Sequence, residues 1–266
     1  MPTWHSSHLA KLGPERPAVL VIAATDSSGG AGLTRDVRVL SDFSVDALCV
    51  VTAVTAQSDK QVAAIHHVPP DVVRAQIAAA LQTRQIAAIK IGMLGTGATV
   101  EAVAAGLAKI DGVPVILDPV LVSSSGGILL DEPGRSALLG RLLPLATLVT
   151  PNLPEIAALL GEQVATDEAA LIQQGRRLLR HGGSAILLKG GHADGDEAVD
   201  LLIGAGASAG AGTVERLSSR RVAGSSRGTG CALAAAIAAG LACGESLLPA
   251  CRNAKDYVLR MLTPVP

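Results

Sequence analysis

Ala18-Val-Leu-Val-Ile-Ala-Ala-Thr-Asp-Ser-Ser-Gly-Gly-Ala-Gly32 begins as an apolar run, turns through a polar, glycine-rich segment and feeds a helical pattern over 32–41. The same succession recurs along the chain. Short apolar runs at 47–54, 87–91, 113–117, 146–149 and 185–188 read as strands. Helical spacing is expected over 71–83, 98–110, 133–142, 153–160, 168–181, 228–242 and 246–262. Alternation of this kind specifies an α/β fold, a mostly parallel sheet with helices on both faces. The strands are almost continuously apolar, as strands buried on both sides must be.

The remaining sequence adds one hairpin and little else. Strands are expected at 198–203 and 213–217, with a flexible Gly/Ala/Ser loop over 204–212 between them. A single domain spans 18–266, preceded by a loose arm at 1–17 that has no apolar signal core. With Trp4, Phe43 and Tyr257 as the only aromatics, Ala, Val, Leu and Ile must fill the core. The net charge of -1 and the absence of a basic run argue against nucleic acid as a partner. No apolar stretch is long enough for a membrane span. Cys49, Cys231, Cys243 and Cys251 form no C-x-x-C pair, which suits a reducing cytoplasm.

Ligands of open parallel sheets bind beyond the C-terminal strand ends, so the residues there carry the functional reading. The first strand is followed by Ala24-Thr25 and three glycines. They allow close backbone approach, or form an ordinary helix entry capped by Ser28. Thr55-Ala56-Gln57 ends the second strand, where the planar Gln57 amide matches an aminopyrimidine edge, though a surface Gln entering a loop fits the local sequence better. Met93 can lie on a flat ring or fill core. Asp118, before Pro119-Val120, suits a metal or a turn start. Asn152 and Glu155 have capping-box spacing, yet their oxygens also suit Mg²⁺. Lys189-Gly190-Gly191-His192 can neutralise phosphate or form a solvated turn.

Ser225-Ser226-Arg227-Gly228-Thr229-Gly230-Cys231 is the strongest single feature, because a long apolar helix follows it. A glycine turn entering a helix aims several N–H groups outward and, with the helix dipole, makes an anion site. Such donors stabilise the charge of a phosphoryl group in transfer. Cys231 in the first turn is where a thiol pKa tends to fall. A plain helix start with a buried Cys fits the local sequence equally.

Taken in order, Ser28-Gly-Gly-Ala-Gly32 with Asp36, Val54-Thr-Ala-Gln57, Lys90-Ile-Gly-Met-Leu-Gly95, Asp118-Pro-Val-Leu-Val122, Thr150-Pro-Asn-Leu-Pro-Glu155, Lys189-Gly-Gly-His192 and Gly228-Thr-Gly-Cys231 resemble the hydroxymethylpyrimidine/phosphomethylpyrimidine kinases of thiamine biosynthesis. The likeness runs from about residue 18 to 260. It implies a three-layer ribokinase-like fold, a homodimer, and two ATP-dependent phosphorylations of one pyrimidine. It implies that Asp36 and Gln57 hold the aminopyrimidine, that Met93 and Val120 line its ring, and that the backbone near Ala24 and Thr55 contacts it. Asn152, Glu155 and Asp118 would serve Mg²⁺. Lys189, with Asn152, Thr229 and Arg227, would serve the nucleotide, and Gly228, Thr229, Gly230 and Cys231 would form the anion hole. A nearby K⁺ is left open.

Three stretches depart from the family pattern: Ala24-Thr25 for Gly-Ser, Arg227 for His, and 58–61, which lacks an Asn. Within the same superfamily a pyridoxal or pyridoxine kinase is the alternative. A pyrimidine-binding protein without turnover is a further one.

Overall fold

The computed structural model describes residues 16–123, 126–190, 196–204, 212–222 and 227–263. Most of the expected arm, most of the 204–212 loop, and Gly191, His192, Ser225 and Ser226 lie outside the described residues.

The strands form one sheet of nine, in the order β3-β2-β1-β4-β5-β6-β7-β8-β9, among the described residues. They are β1 Ala18–Asp26, β2 Asp46–Gln57, β3 Val62–His67, β4 Ala88–Ile91, β5 Val115–Leu117, β6 Leu148–Val149, β7 Ala185–Leu188, β8 Glu197–Ile203 and β9 Val214–Arg220. Strands β2, β1, β4, β5, β6 and β7 run parallel. Antiparallel strands close both edges, β3 on β2 at one and β8 and β9 beyond β7 at the other. β3 is absent from the sequence expectation. Its Val-Ala-Ala-Ile-His-His carries only scattered apolar weight, and the strand is half-exposed or exposed throughout.

Burial on both faces follows the strand period of two. Leu20, Ile22, Ile89, Ile91, Leu117 and Ile186 point to one side. There they meet α2 Pro70–Thr83, α3 Gly97–Leu107, α5 Leu153–Leu160 and α6 Glu168–Leu179. Val19, Val21, Ala88, Ile116, Leu148 and Leu187 point to the other, against α1 Gly32–Asp42, α7 Thr229–Ala242 and α8 Leu247–Leu262. This is the three-layer arrangement expected.

Helix starts follow local chemistry. Thr96 and Asp167 accept the N–H groups of Thr99 and Ala170 at the heads of α3 and α6. Asn152 and Glu155 form a complete capping box on α5, which ends at the left-handed Gly161. The expected 133–142 helix is instead α4 Glu132–Ala137 continued by a π turn, Leu138–Leu142. In α7, 232–240 is buried at every residue and is mostly alanine, so the helix seats closely on the sheet.

Candidate active site

The chain leaves β1 toward β2 and later returns to β4 on β1's other side, so the order reverses around β1. A crevice is expected at such a reversal, beyond the carboxyl ends of β1 and β4. Ala24 from β1 and Met93 after β4 pack there with Ala53 and Leu129, and Ile65 and Val120 close the cluster. The structure thus gathers Ala24, Met93 and Val120 into one apolar patch. Thr55 is buried; its Oγ1 donates to the Thr25 carbonyl at 2.8 Å and stands 3.2 Å from Gln57 Oε1. Gln57 stands two residues further along β2. It shares an open cavity of about 320 Å³ with Ser27, Ala56, Ser58, Gln61 and Ala63.

A second group lies at the ends of β5, β6 and β7. Lys189 Nζ donates to Asp118 Oδ1 at 2.9 Å and lies 3.7 Å from Glu155 Oε2. Thr150 Oγ1 also donates to Asp118 Oδ1, at 3.2 Å. An isolated parallel bridge between Asn152 and Lys189 fixes the two loops side by side. Burial alone would raise Asp118, but the Lys189 and Lys90 charges and the bonds from Lys189 and Thr150 hold its carboxyl below the usual range. Glu155 is pushed up by burial and by Asp118, against the pull of Lys189. Burial would favour a neutral Lys189, yet Asp118 and Glu155 keep it charged, above the ordinary lysine range. The Asn152 side chain is engaged in the capping box, accepting the Glu155 N–H at 2.8 Å, while the Asn152 N–H donates to Glu155 Oε2 at 2.8 Å.

The 228–231 turn joins the two groups. Gly228 caps α7 in the left-handed region at φ 75°, and a Cβ there would collide with the Gly30 carbonyl, so no other residue fits. Among the described residues no side chain caps this helix, which leaves its first-turn N–H groups suited to an anion. A Cβ on Gly230 would stand 3.1 Å from Lys189 Nζ and 3.9 Å from Asp118 Oδ2. The bare glycine therefore opens a cradle above the lysine. Cys231 is partly exposed. The expectation of a lowered thiol pKa is corrected. Desolvation pushes Cys231 up to about 11, Asp36 and Asp118 add to this, and Lys90 opposes it. Loss of water outweighs the opposing Lys90 charge.

Beneath the turn, Lys90 and Asp36 form a fully buried ion pair at 2.7 Å. Lys90 alternates with Ile89 and Ile91, so it faces α1, where Asp36 shares the buried stripe with Leu33, Val39 and Leu40. Burial pushes Asp36 up to about 6 against the attraction of Lys90. Burial disfavours the Lys90 charge too, but Asp36, Cys231 and Asp118 hold it above the ordinary lysine range. Asp36 has no exposed surface, so it lies under the site and not on its wall. Ser28 does not cap α1. Ala31 holds that position, and the Ser28 hydroxyl bonds Asp26 at 2.8 Å.

Arg227 points to the β1 and β2 ends, contacting Asp26 at 2.8 Å and Asp59 at 3.0 Å. Asp26, Lys90 and Thr150 are site-region residues to which the sequence reading gave no role. A lysine inside the apolar run Ala88-Ile-Lys-Ile was the available signal, since a buried charge requires a partner.

A doubly covered parallel sheet with an uncapped glycine turn over a lysine–carboxylate cluster defines a nucleotide-dependent small-molecule kinase. The chain matches the phosphomethylpyrimidine kinase family over residues 26–264 and belongs to it. It is 42% identical over 240 residues to the hydroxymethylpyrimidine/phosphomethylpyrimidine kinase of Rhizobium meliloti, covering 90% of this chain and 88% of that one. It is 41% identical over 247 residues to that of Streptomyces coelicolor, covering 93% and 89%. Among solved structures, phosphomethylpyrimidine kinase from Clostridium difficile superposes with a TM-score of 0.80 at 31% identity, covering 93% of this chain and 100% of that one. Pyridoxal kinase from Staphylococcus aureus, in complex with AMP-PCP and pyridoxal, gives 0.83 at 28%, covering 94% and 88%. The chain is thus a phosphotransferase, and its family implies ATP and Mg²⁺.

The residues present fit that pair. The bare Gly230 leaves the Lys189 ammonium uncovered on that side, and Asp118 and Glu155 are hard oxygen donors converging on the same lysine. Among the described residues no cluster of three or more His, Cys, Asp or Glu could hold a metal. Asp118 and Glu155 are the residues that would contribute oxygens to a Mg²⁺ shell, with phosphate oxygens and water supplying the rest. Among the same residues no helix is long and apolar enough to cross a membrane.

Proposed function

We propose that this chain phosphorylates 4-amino-5-hydroxymethyl-2-methylpyrimidine with ATP and then converts the monophosphate to the diphosphate, in thiamine biosynthesis. The observation that carries the reading is the position of the 228–231 turn. Its Gly230 overlies Lys189 and Asp118, and its Gly228 packs against Gly30 in the loop after β1. A transferring phosphoryl group at that turn faces both substrate and nucleotide. Mg²⁺ at Asp118 and Glu155 would neutralise phosphate charge. Lys189 holds a fixed positive charge, the turn's N–H groups donate to the phosphoryl oxygens, and the half-buried Val120, backed by Ala24 and Met93, offers an apolar face to the ring. Gln57 is the residue we assign to the aminopyrimidine edge.

At neutral pH Cys231 is a thiol, which supports a role as a neutral hydrogen-bond donor or spacer over one as base. The pyridoxal alternative shares the fold, but the curated relatives named above are pyrimidine kinases and Gln57 suits an amino-substituted ring edge. A homodimer and a cytoplasmic location complete the proposal. Val122 and Ile128, bridged to each other and 50% and 77% exposed, supply apolar surface for the former. The test is product identification by ³¹P NMR after incubating purified protein with ATP, Mg²⁺ and the pyrimidine alcohol. Successive monophosphate and diphosphate resonances are expected. ADP release without either product contradicts the assignment.

A further inference from the structure

Arg227 reaches across three segments that are far apart in sequence. It sits directly before the Gly228 cap of α7. Its guanidinium donates to Asp26 Oδ2 at 2.8 Å, to Ser28 Oγ at 3.2 Å, to the Ser58 carbonyl at 2.7 Å and to Asp59 Oδ1 at 3.0 Å. The Arg227 side chain is 15% exposed and that of Asp26 only 3%, whereas that of Asp59 is 88% exposed. One end of this linkage is therefore anchored in the protein and the other grips a solvated loop tip. That tip, 58–61, turns β2 into β3, and β3 is an edge strand with one neighbour. Gln57 and Ser58 line the open cavity, so movement of the tip moves the cavity wall. The planar fork places its donors on separate nitrogens, so it spans the two carboxylates where a lysine would offer one compact point charge.

We propose that Arg227 is a positioning residue that straps the β2–β3 tip to the entrance of the α7 turn, and so sets affinity on the pyrimidine side rather than the nucleotide side. The inference rests on the pyrimidine-kinase reading for its substrate but not for its mechanics. Asp26 supplies the fixed point and Asp59 the movable one. A ligand entering beside Gln57 then meets a wall already held in place, and the ordering cost is not incurred on binding.

Two readouts test this. Lys60 lies in the tip and is exposed, so cleavage there by a lysine-specific protease reports its opening. In Arg227→Met and in Asp59→Ala, the Lys60 cleavage rate is expected to rise about 1.5-fold to fivefold, the scale of losing a partly exposed ion pair. The double variant is expected to match Arg227→Met alone, because both changes cut the same linkage. In steady-state kinetics the KM for the pyrimidine should rise in both single variants, and the KM for ATP should stay within about twofold. Unchanged Lys60 cleavage in both variants overturns the strap. So does a rise in the ATP KM without one for the pyrimidine, which makes Arg227 a phosphate ligand. Because Asp59 is exposed, its variant keeps the test valid even if Arg227→Met folds poorly. If the wild-type protein does not use the pyrimidine at all, the functional reading fails while the protease result still decides the strap.

Discussion

Gly230 and Cys231 are adjacent yet do different work. At Gly230 the missing side chain is the functional feature, since a Cβ would come within 3.1 Å of the lysine ammonium. Gly230→Ala is expected to lower turnover roughly 10- to 100-fold, the scale of disturbing a transition-state anion site. Because alanine favours a helix, stability should stay level or rise by up to about 1 kcal/mol. A kinetic assay beside a thermal melt checks the pairing; equal loss of both makes Gly230 a packing residue only. At Cys231 the thiol, pushed up to about 11, is about 1% ionised at pH 9. Acting as a neutral thiol, Cys231 should leave the rate flat between pH 7 and 9, whereas a thiolate base would make the rate climb about tenfold per pH unit there. Cys231→Ser should lower turnover more than affinity, and unchanged turnover would leave Cys231 a structural role.

The residue types at these strand ends were legible from the sequence, because glycines, Asp118, Lys189 and Gln57 follow apolar runs. Their states were not. Whether a first-turn thiol is acidic depends on water being excluded by residues distant in sequence. That Asp36 lies beneath the site depends on Lys90, a residue on another element. The departures from the family pattern at Arg227 and 58–61 meet in space, a relation that only the fold reveals.

At the scale of elements, β4 and α1 are joined by the buried Lys90–Asp36 pair. Removing one partner strands a charge in the interior, which typically costs 3–5 kcal/mol, about as much as a core cavity. Lys90→Met should destabilise the protein by about that amount in chemical denaturation. Lys90→Met with Asp36→Leu should recover most of it, since a matched apolar pair has no charge to desolvate. Failure of the double variant to recover would assign the pair a role beyond charge neutralisation. Strands with strong apolar runs were readable, and β7 has the expected bounds. β3 was not readable because its register comes from pairing with β2 and not from a buried face. The π turn after α4 was hidden for a similar reason. Leu138-Leu-Gly-Arg-Leu142 carries ordinary helical spacing, and packing selects the wider turn.

For the whole molecule, the reversal of strand order at β1 places the apolar patch and the lysine–carboxylate cluster on one rim, with the α7 turn between them. Nothing in that plan separates a pyrimidine kinase from a pyridoxal kinase, since both superpose on this chain with TM-scores of 0.80 or more. Only the groups lining the rim distinguish the ring. The most direct measurement is the ratio of kcat/KM for the hydroxymethyl aminopyrimidine to that for pyridoxal, on purified protein at saturating ATP and Mg²⁺. Gln57, which offers an amide to an amino-and-ring-nitrogen edge, should make the ratio exceed about 10 in favour of the pyrimidine, with Gln57→Leu reducing it. A ratio below one, with wild-type protein carrying pyridoxal to its phosphate, would contradict the assignment.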